Sequence, residues 1–377
     1  MTNSKIMKNQ INIYIEEACR KGVEEGVFCG VSAAVSTFKN NVYHRGVFSG
    51  GSTVFDKAGG GVEENTLFDL ASLTKPLCTT LCVLHLVAAG IFNLEESYCS
   101  LMGFDITAEK KSIKIHHLLS HSSGLPSYEP YFKQFPPEFS NNNKLLIIQK
   151  ILEEPLEYPT GTLCKYSDLG FILLGALIER KTGMGIDTLY RMLITYPLNL
   201  SLELCFLPLG KLSFENTQNV AATEECGWRK KLIQGEVHDE HAWLMGGVAG
   251  HAGLFGTING VMTLCEIILD IWKDRGSLQA FPNALLQQAM TQKDPVGSWC
   301  LGFDTPSPGK SSSGSHFSRQ SVGHLGFSGT SFWIDPDKEI IIVLLTNRIH
   351  PSRENVKIRQ FRPFFHDYLM ERICSGL

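Results

Sequence analysis

Six consecutive aliphatic residues, Ile340 to Leu345 in EIIIVLLTN, constrain this chain more than any other feature. A strand that is apolar on both sides of its pleat needs cover on both faces, so it belongs in the middle of a sheet with layers above and below. GTSFWID precedes it across Pro336-Asp337-Lys338, and the two runs read as paired strands. Near the other end, GVSAAVSTF and VYHRGVF flank Lys39-Asn40-Asn41, where Asn tolerates the positive φ of a tight hairpin turn. MTNSKIMKNQINIYIEEACRKG reads as an amphipathic helix, and NVKIRQFRPFFHDYLMERIC as a helix that Pro363 could kink. Hairpin, C-terminal strands and terminal helices together predict one antiparallel sheet lobe.

At 377 residues the chain exceeds the size at which one core stops growing, so two lobes are expected. From about 95 to 245 the apolar spacing is three and four, as in KLLIIQKILEE and DLGFILLGALIERKTG, broken by Pro and Gly connections. The expected fold class is α/β of the α+β type. An antiparallel sheet flanked by helices spans 1–80 and 246–377, a mostly helical lobe spans 81–245, and the active site lies between them.

The net charge of -4, with no basic cluster, argues against nucleic acid as a partner. The apolar run Leu77 to Phe92 is interrupted by Thr79, Thr80 and His85, contains Gly90, and falls short of the roughly 20 residues of a membrane span. A buried helix is expected instead. The first residues lack the apolar core of a signal peptide, and eleven Cys without a C-x-x-C pair suggest reduced thiols in a cytoplasmic protein.

Acyl transfer needs a nucleophile, a nearby base and backbone donors for the oxyanion. Ser-x-x-Lys supplies the first two when it lies on a helix, because residues three apart there are neighbours. The pattern occurs three times, at Ser36–Lys39, Ser72–Lys75 and Ser307–Lys310. Ser36 falls in a strand and Ser307 in a loop rich in Pro, Ser and Gly, so only Ser72 stands at a helix entrance, with Pro76 in the first turn. The free amides of that turn favour negative charge at Ser72, although Ser72 as a plain helix cap is the competing reading. Two further segments carry chemistry: Tyr166-Ser167-Asp168 before DLGFILLGALIER, and His324-Leu325-Gly326-Phe327-Ser328-Gly329 before the strand TSFWID.

In order, Ser-x-x-Lys, Tyr-x-Asp and His-x-Gly resemble the three-part signature of the serine β-lactamase and penicillin-binding-protein superfamily. With Tyr in the second element, the set is most similar to the class C β-lactamase branch, which includes esterases, D-amino peptidases and D,D-carboxypeptidases. FDLASLTK, IHHLLSHSSGLP, YPTGTLCKYSDLGFILLG, GGVAGHAGLFGT and GHLGFSGTSFWIDPDKEIIIVLLTNR are similar to family segments in the same order. VHDEHAWLMGGVAGHAGLFGT resembles a penicillin-binding-like subgroup linked in bacteria with cell-wall metabolism. The resemblance implies a β-lactamase/transpeptidase-like fold, acylation of Ser72, proton shuttling by Lys75 and Tyr166, and an oxyanion hole from the amides of Ser72 and Phe327.

Two positions depart from the family pattern. His324 stands where Lys usually recognises a substrate carboxylate, and is expected to be only partly charged at neutral pH, so that selectivity for anionic substrates should change near pH 6.5. Asp168 replaces an Asn whose amide donors hold an acylamino group. Gly326, Asn347, Arg353 and His251 complete the expected substrate contacts, with Asn347 and Arg353 compensating for His324. The expected partner is a small ester, amide or peptide, cleaved without a cofactor.

A metal hydrolase is the first rival. His117 and His121 have i,i+4 spacing, and His238, Asp239, His241 and His251 cluster later, but there is no H-E-x-x-H, so no metal ligands are assigned. G-x-S-x-G is absent as well, which disfavours an α/β-hydrolase. A non-catalytic sensor descended from the fold is the second rival, and retention of Ser72, Lys75 and Tyr166 argues against it.

Overall fold

The computed structural model describes residues 3–55, 60–102, 109–210, 219–277, 282–291 and 297–376. Strands β1 (Gly30–Lys39) and β2 (Val42–Gly51) form the expected hairpin. Its turn uses Asn40 at φ 53° and Asn41 at φ 61°, the pair of positive values that matches the strand twist. Two short strands, β3 (Phe68–Asp69) and β4 (Leu204–Phe206), flank β5 (Leu254–Gly256) in a separate three-stranded sheet. Strands β6 (Val322–Leu325), β7 (Ser331–Asp335) and β8 (Ile340–Thr346) complete the main sheet, whose order is β2-β1-β8-β7-β6. All of its pairings are antiparallel, and β8 is the middle strand, as its composition predicts.

Alternation along β8 divides its side chains between two cores. Ile340, Ile342 and Leu344 join a cluster with Ile11, Ile15 and Cys19 of helix α1 (Asn3–Glu24) and Phe361, Phe365 and Leu369 of the C-terminal helix. Ile341, Val343 and Leu345 enter the other cluster, which is covered by helix α5 (Ile258–Trp272) and continues through the helical section. That section includes α2 (Leu81–Ala88), α3 (Asp168–Thr182) and α4 (Glu240–Leu244). Truncating Ile342 to Ala would cost about 2–5 kcal/mol, because packed neighbours on that face relax only partly. The C-terminal helix, α6 (Ile358–Gly376), runs on through Pro363.

The segment Ala71–Ala88 is apolar and long enough to cross a membrane by composition, yet 72% of it is buried within the protein. It is the core segment that carries Ser72 and Lys75. None of the eleven cysteines forms a disulfide among the described residues, and Cys78 and Cys82 are fully buried packing residues.

Candidate active site

Ser72 follows β3 in a tight turn rather than opening a regular helix. Residues Ala71–Leu73 form a 3₁₀ turn, Lys75–Thr80 a π-helical turn, and α2 begins only at Leu81. Ala71, directly before the serine, has φ 49°, a left-handed conformation that costs a residue with a Cβ about 1–3 kcal/mol. Asp69 holds it there: Oδ1 accepts from the Ala71 amide at 2.8 Å and Oδ2 from the His238 amide at 2.7 Å. Thr74 Oγ1 donates to the Ala71 carbonyl at 2.7 Å. Ser72 itself makes no capping bond, so the helix-cap reading is corrected.

The Ser72 hydroxyl instead lies between two functional groups, Lys75 Nζ at 3.0 Å and Tyr166 OH at 2.7 Å. Lys75 is fully buried and spends its other donors on the His251 carbonyl at 2.9 Å and Asp168 Oδ1 at 2.6 Å. That His251 carbonyl is within reach because Gly250 packs on Gly175 of α3, where a Cβ on Gly250 would meet the Phe171 carbonyl at 2.2 Å. Burial pushes the Lys75 amine below its ordinary range, with the Asp168 carboxylate opposing. Burial, then Asp168, pushes the Tyr166 phenol well above its ordinary range.

Tyr166 reaches the serine because its neighbour does the capping. Ser167 Oγ accepts from Gly170 N at the start of α3 and donates to the Pro126 carbonyl at 2.6 Å. The phenol also contacts Asp168 Oδ1 at 3.0 Å and is packed against His121 at 4.7 Å between ring centroids. His121 and His117 do not share a helix face, since that helix ends at Leu119 and His121 has φ 59°. His121 Nδ1 instead accepts from the Ser167 amide at 3.1 Å.

On the far side, edge strand β6 carries His324. Its Nδ1 lies 2.9 Å from the Leu325 carbonyl, which requires the proton on Nδ1 and leaves Nε2 a bare acceptor. Burial, reinforced by the Lys75 charge, pushes this imidazole down to about 3. The expectation of a partly charged His324 is therefore corrected: a buried ring beside an ammonium stays neutral.

After β6, Arg362 of α6 donates to the carbonyls of Gly326 and Thr330, each at 2.7 Å. A trans peptide points its C=O and N–H in opposite directions, so anchoring the Gly326 carbonyl turns the Phe327 amide to the other side. Among the described residues, neither that amide nor the Ser72 amide donates an internal hydrogen bond. Arg348 holds the next carbonyl, that of Phe327, through Nε at 2.9 Å and Nη2 at 2.6 Å. Ser328 Oγ donates to Asp69 O and Thr330 Oγ1 to Leu70 O, which ties this loop to the nucleophile turn.

These groups line one cleft of about 590 Å³, which holds Ser72, Tyr166, Asp168, His251, His324, Gly326, Phe327 and Arg353 together. Asn347 does not join them, and its assignment to substrate is corrected. Its side chain accepts from Gly30 N at 2.8 Å and donates to the carbonyls of Ser52 and Thr53, clamping the sheet end. Arg353 lines the cleft but is engaged by Glu224 and Glu240, both at 2.6 Å. Of the other two motif copies, Ser36 donates to Glu266 at 2.6 Å from inside β1, and Ser307 lies exposed in its loop. Asp69, Arg348, Arg362 and Trp299, whose ring packs at 5.6 Å from that of Tyr166 and 5.4 Å from that of His324, escaped sequence reasoning. Asp69, three residues before Ser72, was the one with a local signal.

The profile of the family described as Beta-lactamase matches residues 17–362. The N-acetylmuramyl-L-alanine amidase of Bacillus subtilis (strain 168) is 35% identical over 312 residues, 77% of this chain and 69% of that protein. A putative D-alanyl-D-alanine carboxypeptidase of Salmonella typhi is 32% identical over 317 residues, 78% of this chain and 72% of that one. The solved structure of EstCE1, a hydrolase with promiscuous acyltransferase activity, has a TM-score of 0.70 at 18% identity, covering 95% of this chain and 100% of that one, which shows a shared fold. With a family match spanning the three motifs and most of the fold, the chain belongs to the beta-lactamase family.

Proposed function

We propose that this protein is a serine hydrolase that opens an ester or amide bond through an acyl-enzyme on Ser72. The observation that carries the reading is the position of Ser72 Oγ, 3.0 Å from Lys75 Nζ and 2.7 Å from Tyr166 OH. The opposite pKa displacements divide the roles: a buried amine lowered below its ordinary range gives up its proton more readily and suits a base, and a phenol raised by burial stays a proton donor. Once Lys75 has lost its proton, Ser72 Oγ attacks the carbonyl carbon as the hydroxyl proton passes to the Lys75 amine, and the amides of Ser72 and Phe327 receive the oxyanion. Tyr166 protonates the leaving amine or alcohol and regains a proton from Lys75. Water then takes the nucleophile's place and the same groups run in reverse, releasing the acid. Tyr166 in the second motif supports placement in the class C-like branch.

The substrate class we favour is a cell-wall amide such as the one named in the Bacillus subtilis relative, with small esters as surrogate substrates. Neutral His324 offers an acceptor for a substrate N–H or O–H, which suits an internal amide better than a terminal carboxylate. Eleven cysteines without a disulfide among the described residues support action in the cytoplasm, hence on soluble fragments. A panel of muramyl-L-alanine amides, D-Ala-D-Ala peptides, nitrocefin and short nitrophenyl esters tests the reading. Turnover of the muramyl amide above the D-Ala-D-Ala peptide is expected, and the reverse order would reassign the substrate to the carboxypeptidase class.

A further inference from the structure

Beside the serine machinery, the cleft wall contains a group of side chains that the hydrolytic cycle does not use. Asp239 caps α4, with Oδ1 accepting from the Ala242 amide at 2.8 Å and contacting His251 Nε2 at 2.8 Å. His241, two residues after this cap, is fully buried, and among the described residues neither of its ring nitrogens has a hydrogen-bond partner. His251 Nδ1 is likewise without one. The rings of Tyr128, Tyr131 and Phe132 pack around His241 with centroids at 5.2, 5.7 and 6.0 Å. A buried imidazole left bare on both nitrogens costs about 1–3 kcal/mol for each unmet polar atom, a penalty that a ligand would remove.

We propose that Asp239, His241 and His251 form a binding site for a divalent transition-metal cation, Zn²⁺ by ligand type. One ligand atom from each residue lies within 4.8 Å of the other two. Three atoms within 4.8 Å of one another all lie within about 2.8 Å of a common point, against about 2.0–2.2 Å for Zn–N and Zn–O bonds, so closure needs shifts of less than about 1 Å per ligand. Asp239 and His251 both line the cleft, so the remaining coordination positions face the substrate space. Three protein ligands and an open position are the pattern of Zn²⁺ sites that engage substrate or water. The cation would place a fixed positive charge in a cleft whose third motif supplies only neutral His324. The site does not depend on the hydrolase reading, since cation binding is measured without substrate.

The test strips the full-length protein with a chelator and titrates it with Co²⁺ and Zn²⁺. One tightly bound cation per chain is expected, with Co²⁺ d–d bands but without the intense near-ultraviolet absorption of thiolate ligation. His241→Phe and Asp239→Asn should each weaken binding by more than the roughly 100-fold that loss of an outer-sphere partner costs. His241→Gln, of similar size, replaces His241→Phe if that variant does not fold. No saturable binding, a thiolate spectrum from any of the cysteines, or unchanged affinity in folded variants would overturn the site.

Discussion

Asp168 Oδ1 lies 2.6 Å from Lys75 Nζ and 3.0 Å from Tyr166 OH, so one carboxylate touches both groups that touch the nucleophile. It raises the proton affinity of each, against the burial that lowers Lys75 and together with the burial that raises Tyr166. In Asp168→Asn the amide oxygen still accepts both hydrogen bonds, but the charge is gone. Lys75 then loses its proton at lower pH, so the neutral base is available sooner as pH rises. The acidic limb of the kcat/KM profile should move to lower pH by about 1–3 pH units. A limb that stays in place, or moves upward, would remove Lys75 from the role of base.

Tyr166→Phe keeps the ring packing against His121 and deletes the proton donor 2.7 Å from Ser72 Oγ. A loss of about 10²–10⁴ in kcat is expected, with little change in Tm. Steady-state kinetics beside a thermal melt separates the two effects, and wild-type kcat in the variant would reduce Tyr166 to a packing residue.

Much of this architecture was legible in the sequence because it is written in local pattern. Ile340 to Leu345 announced a doubly covered central strand, and Asn40-Asn41 a tight turn. What stayed hidden depends on long-range placement. Arg362 reaches the Gly326 carbonyl from 36 positions away, and Asn347 turns from the cleft to the Gly30 amide 317 positions away. Neither partner can be read from spacing. His324 misled for a related reason: an ordinary imidazole range applies to a solvated ring, and burial beside Lys75 is a property of the folded chain.

The orientation of the Phe327 amide rests on Arg362, which does not itself need to touch substrate. Arg362→Gln should lower kcat about 10²–10³-fold, the scale of losing an oxyanion donor, while KM stays near its wild-type value. Arg362→Lys, which keeps one donor, should fall between the two. A folded Arg362→Gln protein with undiminished kcat would separate this guanidinium from the oxyanion hole.

Because the His324 imidazole is held down at about 3, its charge does not change over the working pH range. The ratio of kcat/KM for an anionic substrate to that for its neutral analogue should be free of any His324 titration between about pH 5 and 8. His324→Lys should raise that ratio about tenfold, the scale of one charge-assisted hydrogen bond. A wild-type ratio that falls through pH 6.5 and becomes flat in His324→Lys would mean that the ring is solvated and titrates.

The central claim is that Ser72, alone among the three Ser-x-x-Lys serines, is the acylated nucleophile, because only its hydroxyl meets both Lys75 and Tyr166. Peptide mapping by mass spectrometry after treatment with a fluorophosphonate tests it most directly. One adduct per chain on the peptide containing Ser72 is predicted, absent in Ser72→Ala. An adduct on Ser36 or Ser307, or labelling that survives Ser72→Ala, would contradict the account.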